Sequence, residues 1–234
     1  QQEALSTLNG ILRHQVLNDL SAISGSAELL KAGRRDPEEG TDTILAHSEH
    51  MTDIVERIET ISDVLARTTD PEETDVDRAI RHAIADVRAA HPAATIDYEP
   101  SEVPPVEADH LLYQAIYEVV ENAAVHAGEA PTVHVGVGLD AGAAGTDDVV
   151  VTVADDGPGV DVEPRWKLFE PSERGPGSSG DGLGLFLAST IMERYGGTVE
   201  LVAAGGDDPN ADGLTGEGQG GAVFALRVPR LGER

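Results

Sequence analysis

Apolar residues that step by three and four from Glu3 to Leu65, with a single interruption, constrain this chain more than any other feature. Leu8, Leu12, Val16, Leu20, Ile23, Ala27 and Leu30 make one stripe running to about Lys31, the pattern of a long amphipathic helix. Gly33-Arg34-Arg35-Asp36-Pro37 breaks it. Ile44, Met51, Ile54, Ile58, Ile61 and Leu65 then make a second stripe, close to a heptad seam. Two such helices joined by a short break predict an antiparallel hairpin. One hairpin buries little of either stripe, so the expected solution is a homodimer whose two hairpins form a four-helix bundle. The helical pattern starts with the first residues, as expected of a piece whose full-length protein carries an N-terminal sensor domain.

The period then changes. Residues 67–74 (RTTDPEET) have the polar, Pro-containing composition of a linker, which divides the chain into domains at 1–66 and 75–234. Helices are predicted over residues 76–90, 109–127 and 183–195. Strands are predicted over 95–98, 132–139, 149–154, 198–203 and 222–228. Residues 157–182 are rich in Gly, Pro and Ser. Strands and helices segregate, so the fold class is α+β: the helical hairpin, then an α/β sandwich rather than a wound βαβ sheet.

Charge excludes whole classes of partner. The net charge is −27, and only two basic residues are lysines, Lys31 and Lys167. Such a chain repels nucleic acid and anionic membranes, so no nucleic-acid partner is expected. The acidic residues are spread along the chain, as expected of a halophilic protein kept soluble where screening shrinks repulsion to about 3 Å in molar salt. The absence of cysteine removes disulfides, thiolate metal sites and thiol nucleophiles. No apolar run approaches the roughly 20 residues of a membrane span, and the expected location is cytoplasmic.

Four constellations could carry chemistry. His14 lies on the first helix, roughly opposite its apolar stripe, with Asn18 and Ser21 on its own face. An exposed imidazole can act as a nucleophile through its unprotonated nitrogen; taken alone, His14 also reads as a solvated surface histidine. Glu118, Asn122 and His126 fall at i, i+4 and i+8 on the helix predicted at 109–127. A carboxylate and an amide oxygen one turn apart suit Mg²⁺, and the same spacing suits a solvent-facing polar edge. Asp155-Asp156-Gly157-Pro158-Gly159 follows a strand: its acid could accept a hydrogen bond from an adenine amino group, and the run could equally be an ordinary turn. Gly180-Asp181-Gly182-Leu183-Gly184-Leu185 opens the helix at 183–195, where backbone N–H groups can meet phosphates. It departs from the Rossmann fingerprint, since a flexible loop and not a strand precedes it. That loop fits a lid, with Phe169 as its apolar anchor.

In this order the motifs resemble the sensor histidine kinase family, whose ATP-binding domain shares its fold with gyrase, chaperone and mismatch-repair ATPases. RHQVLNDLSAISGSAELL looks like the phosphoacceptor box, EVVENAAVHA the Asn box, DDGPGV and GDGLGLFLA the two glycine boxes, and KLFEP the Phe box. The resemblance covers essentially the whole chain. It implies ATP and Mg²⁺ as cofactors, His14 as the phosphorylated residue, and Asn18 as the helper in dephosphorylating a response-regulator receiver domain. Asn122 would bind Mg²⁺, with Glu118 at the family's more variable position. His126 would lie at the nucleotide, Asp155 would hold adenine, and Gly157 and Gly159 would shape the pocket. Gly180, Gly182, Leu183 and Gly184 would meet the phosphates, and Phe169 would anchor the lid.

Two departures stand out. Gln15 occupies the place where the family usually has an acidic general base, and an amide cannot take a proton. Either another carboxylate substitutes or the protein is biased toward phosphatase activity. Val125 replaces a common lysine, which shifts phosphate neutralisation to Mg²⁺ or to Arg165, Lys167 or Arg174. Of the remaining histidines, His47 falls on the second apolar stripe and reads as a satisfied interior residue, and His50 reads as surface.

Overall fold

The computed structural model describes residues 2–66, 72–141, 147–160, 164–170, 183–203 and 221–230; side chains in the first helix are described from Gln15 onward. The chain divides into two compact units, a helical hairpin and an α/β sandwich.

The hairpin consists of α1 (Gln2–Lys31) and α2 (Pro37–Ala66). Its turn is written in residues with defined local chemistry. Gly33, at φ +62°, takes the left-handed position after α1. There Gly33 N–H bonds Leu30 O at 3.0 Å and Arg34 N–H bonds Leu29 O at 2.9 Å, which closes the helix end. Asp36 then caps α2, accepting from the N–H groups of Glu38 and Glu39 at 3.0 and 3.3 Å, with Pro37 at the first helical position. The helices meet closely at Gly40, where a Cβ would lie 2.5 Å from Leu30 Cδ2. Ser26, buried, donates to Gly40 O at 3.0 Å, and Arg35 spans Ser26 Oγ and Thr43 Oγ1 at 3.2 and 3.0 Å.

The seam differs from the stripe that the periodicity picks out. On α1 the residues buried in the described part are polar, Asp19 and Ser26, while Leu17, Leu20 and Leu29 are exposed. Ile54, Ile61 and Val64 of α2 are buried, and Leu45 and Val55 are exposed.

The second unit opens with β1 (Glu72–Thr74), which pairs antiparallel with β3 (Val106–Ala108). Part of the segment read as linker is therefore a strand; three residues are too short to show a period of two in the sequence. The main sheet holds β2 (Thr95–Glu99), β4 (Thr132–Ala141), β5 (Asp147–Asp155), β6 (Thr198–Ala203) and β7 (Val223–Val228), in the order β2-β4-β5-β7-β6. Every neighbouring pair is antiparallel except β2 and β4, which are parallel.

Helices α3 (Val76–Ala90), α4 (Leu111–His126) and α5 (Gly184–Arg194) pack with the sheet, α4 against β4 and β5 and between α3 and α5. Valines and small side chains fill this core: Val133, Val135, Val149, Val151 and Val153 come from the sheet, and Leu112, Ile116, Val119 and Val120 from α4. Each large apolar side chain so buried contributes about 1.5–3 kcal/mol. The ends of α4 and α5 are tied through Asp109, which accepts from Leu111 N–H at 2.9 Å and Arg194 Nη2 at 3.0 Å and bonds the Tyr195 hydroxyl. Among the described residues no helix is long and apolar enough to cross a membrane.

Candidate functional site

Of the predicted site residues of the sandwich, Glu118, Asn122 and His126 lie on α4, and Gly157 and Gly184 closely approach Ala127 and Glu118. Glu118 is only 2% exposed, so the solvent-facing reading fails at this position. Its Oε1 accepts from Gln114 Nε2 at 2.7 Å. Its Oε2 faces the start of α5, where a Cβ on Gly184 would stand 2.6 Å away. Only a residue without a side chain lets that helix begin so close to the carboxylate. Asn122, one turn on, is half-buried, and His126 at the last turn is exposed. Glu121 belongs elsewhere: it accepts from the Tyr117 hydroxyl at 2.7 Å and lies 3.6 Å from His91 Nε2.

At the far end of α4 the acidic pair divides its labour. Asp155 ends β5 at 7% exposure, and its Oδ1 accepts from Gly157 N–H at 2.9 Å and Ala222 N–H at 3.2 Å. Both bonds reach the same oxygen, which leaves the Oδ2 edge for a further donor. Burial pushes the Asp155 carboxyl above its ordinary range, the two N–H groups pull it back, and the Asp156 charge pushes with burial. Asp156 stitches the loop to β4 instead, its Oδ1 accepting from Thr132 N–H at 2.9 Å. Gly157 presses on the end of α4, where a Cβ would meet Ala127 Cα at 2.6 Å, and Gly159 turns the chain at φ +79°.

Sequence reasoning missed the support behind Asp155. A Cβ on Gly221 would fall 1.7 Å from Asp155 O, and Ala222 supplies one of its two N–H donors. The readable signal was Gly220-Gly221-Ala222 directly before a strand. Gln114, at i−4 from Glu118, was also missed, and its spacing was visible.

The 3-10 turn Arg165–Phe169 lies near β6 and α5. Phe169 packs edge-on against Phe224, with ring centres 6.5 Å apart. Arg165 Nη1 donates to Val202 O at 3.1 Å, so of the cations considered for phosphate neutralisation it already holds backbone, while Lys167 is exposed. Gly180, Asp181, Gly182 and Arg174 lie outside the described residues; Leu183 is buried.

In the hairpin, Asn18 and Ser21 are exposed and Gln15 is half-buried. The side chain of His14 lies outside the described set. His47 and His50 are both half-buried, and both bond the buried Asp19 through Nδ1 at 2.8 Å, so His47 has the partner expected of a satisfied residue. His50 is thus not a plain surface residue.

Residues 4–66 match the His Kinase A (phospho-acceptor) domain, and residues 107–232 match the histidine kinase-, DNA gyrase B-, and HSP90-like ATPase family. The sensor histidine kinase TrcS of Mycobacterium tuberculosis is 28% identical over 93% of this chain and 42% of its own length. The sensory histidine kinase/phosphatase NtrB of Rhodobacter capsulatus is 28% identical over 84% of this chain and 58% of its own. The chain thus spans about half the length of these relatives. The histidine kinase ThkA, solved in complex with the response regulator protein TrrA, shares the fold at a TM-score of 0.67 and 22% identity, over 98% of this chain and 64% of that one. With a phosphoacceptor hairpin followed by an ATPase sandwich of this type, the chain belongs to the sensor histidine kinases.

Proposed function

We propose that the protein binds ATP along α4 and transfers its γ-phosphoryl group to His14, from which the group passes to an aspartate on a response-regulator receiver domain. The observation that carries this reading is the pair of close glycine approaches to one helix, Gly184 at Glu118 and Gly157 at Ala127. They bracket about 13 Å of α4 by helix rise, with Asn122 between them and Asp155 at one end. Adenine would sit at the Asp155 end, its amino group donating to Oδ2. The triphosphate would run toward the start of α5, whose backbone N–H groups favour negative charge. Gly180 and Gly182 would extend that cradle, and Phe169 would anchor the segment that covers it.

The donor set fits Mg²⁺. Asn122 and Glu118 offer hard oxygens one turn apart, and a half-buried amide leaves room for the waters that Mg²⁺ retains. When bound, Mg²⁺ would neutralise charge on the phosphates, a duty the more pressing because Val125 stands where a lysine is common. The chain's residues orient the nucleotide and exclude water. His14 supplies the nucleophile: its unprotonated ring nitrogen forms a P–N bond as the bond from the γ-phosphorus to the β-bridging oxygen breaks and ADP leaves. The remaining ring proton goes to solvent or to a carboxylate at a position other than 15, since the Gln15 amide cannot accept it.

We read residues 1–66 as the dimerising phosphoacceptor domain, 67–74 as its connection, and 75–234 as the catalytic domain. The working unit would be a homodimer. The exposed leucines of the hairpin support this reading, and ThkA with its regulator illustrates the partner class. A second reading is favoured by Gln15 together with the exposed Asn18: a phosphatase-biased member that removes phosphate from its regulator faster than it phosphorylates His14. Labelling with γ-phosphate-labelled ATP separates the two. A base-stable, acid-labile label that disappears in His14→Ala supports the kinase. No label, with regulator dephosphorylation that depends on Asn18, supports the second reading.

A further inference from the structure

A buried carboxylate in the hairpin seam has no part in the chemistry above. Asp19 is 5% exposed, and its two oxygens are held separately, Oδ1 by His47 Nδ1 and Oδ2 by His50 Nδ1, each at 2.8 Å. The two imidazoles sit at i and i+3 on α2, so they grip one residue of α1 from a single face. Seven residues further along each helix, in opposite directions, the buried Ser26 hydroxyl bonds Gly40 O. The two polar rungs share one antiparallel register.

Apolar heptad seams can slide or rotate with modest loss, because one leucine contact resembles another. A buried carboxylate cannot, since any slip leaves it desolvated without donors; buried polar groups fix register for this reason. Rotation matters here. Asn18 is adjacent to Asp19, about 100° around the helix, and it is exposed. His14 precedes Asn18 by one turn, on the same face. Holding Asp19 inward therefore turns the face that carries Asn18 outward, and helix periodicity puts position 14 on that face.

We propose that Asp19, gripped by His47 and His50, is a positioning residue that sets the rotation and register of α1, and so the presentation of His14 and Asn18. The functional part rests on His14 as phosphoacceptor. The geometric part does not, and the test separates them. Because the chain has no cysteine, spin labels on cysteines placed at the exposed Ser21 and Ser48, in protein diluted with unlabelled copies, report register directly. One narrow distance is expected in the parent and a broadened or shifted distribution in Asp19→Ala. An unchanged distribution overturns the clamp.

In parallel, the rate of His14 labelling should fall at least tenfold in Asp19→Ala, with affinity for an ATP analogue within twofold of wild type. Asp19→Asn should recover to within threefold, because an amide still accepts from one imidazole and donates to the other once that ring changes tautomer. Ile61→Ala empties a buried site on α2 away from the clamp and serves as the stability control, assayed where both variants are folded. Equal losses in Ile61→Ala and Asp19→Ala would reduce Asp19 to a mere stabiliser and overturn the proposal. Absence of label on the wild type would sink the phosphoacceptor reading and leave the clamp to be judged by the spin-label distances.

Discussion

The hairpin and the sandwich solve the problem of burial in opposite ways. The sandwich closes over its own apolar residues: β7 is buried along nearly its whole length, and α4 sits among α3, α5 and the sheet. Leu139 and Trp166 are its large apolar exceptions among the described residues. The hairpin instead spends inward positions on Asp19 and Ser26 and leaves leucines outside, Leu17 at 56% and Leu45 at 53% exposure. Leucines left exposed on a paired-helix unit are what a second copy would cover, as the proposed homodimer requires.

That contrast is broken most severely at His14. If the halves carry separate duties, His14→Ala abolishes base-stable labelling outright while nucleotide affinity stays within about twofold. Equilibrium binding of a fluorescent ATP analogue, run beside the labelling assay, checks both. A parallel fall in affinity would mean that the halves are not separable.

The next effect falls on assembly. Replacing Leu17, Leu20 and Leu45 together by Gln removes apolar area that a second copy would cover. At about 1 kcal/mol for each half-exposed leucine, and with both copies altered, the dimer should weaken by about 10⁴-fold. Sedimentation across a concentration series measures this, and the unfolding transition of the sandwich should not move. A dimer that persists would show that the leucines face something else.

Asp155→Asn tests the other half at smaller cost. Loss of a charged acceptor for the adenine amino group should weaken ATP binding by about tenfold, in line with roughly 1.5–3 kcal/mol for a hydrogen bond to a charged group. Stability should move the other way. A carboxyl whose pKa is raised by folding holds its proton more tightly in the native state. Its contribution is therefore present below the ordinary carboxylate pKa and lost as pH rises through the raised value. The nucleotide-free Asp155→Asn protein should then be at least as stable as wild type at neutral pH, with the difference closing on acidification. Thermal melts at several pH values, with and without ATP, decide it, and the hairpin dimer should be indifferent throughout.

The same contrast explains what could be read from the amino acids. The sandwich was legible because its chemistry is local: DDGPG and GDGLGL each put acid or glycine at the end of a strand or start of a helix, where propensity and function agree. Gly220-Gly221-Ala222 before a strand marked a tight approach, but its partner Asp155 lies far along the chain and no spacing rule joins the two. The hairpin's existence was plain from its period, yet its seam was not. Periodicity ranks residues by hydrophobicity, so it assigned Leu20 to the buried stripe and passed over Asp19. Only the distance to His47 and His50 reveals a carboxylate as an interior residue.

The smallest predicted effect concerns Gly184, where the two tendencies of a substitution oppose each other. Alanine at a helix position gains about 0.5–1 kcal/mol over glycine. The new Cβ, however, would stand 2.6 Å from Glu118 Oε2, on a buried side chain whose other oxygen is held by Gln114. That carboxylate cannot swing aside without giving up its bond, and overpacking of this kind costs about 1–3 kcal/mol. Gly184→Ala should therefore lower the stability of the sandwich by about 1–2 kcal/mol in denaturant unfolding and weaken ATP binding several-fold. Adding Glu118→Ala should relieve the clash, so the alanine at position 184 then becomes neutral or stabilising while ATP binding stays weak. A Gly184→Ala cost that persists without Glu118 would mean that the glycine is needed for the path of the backbone and not for its closeness to the carboxylate.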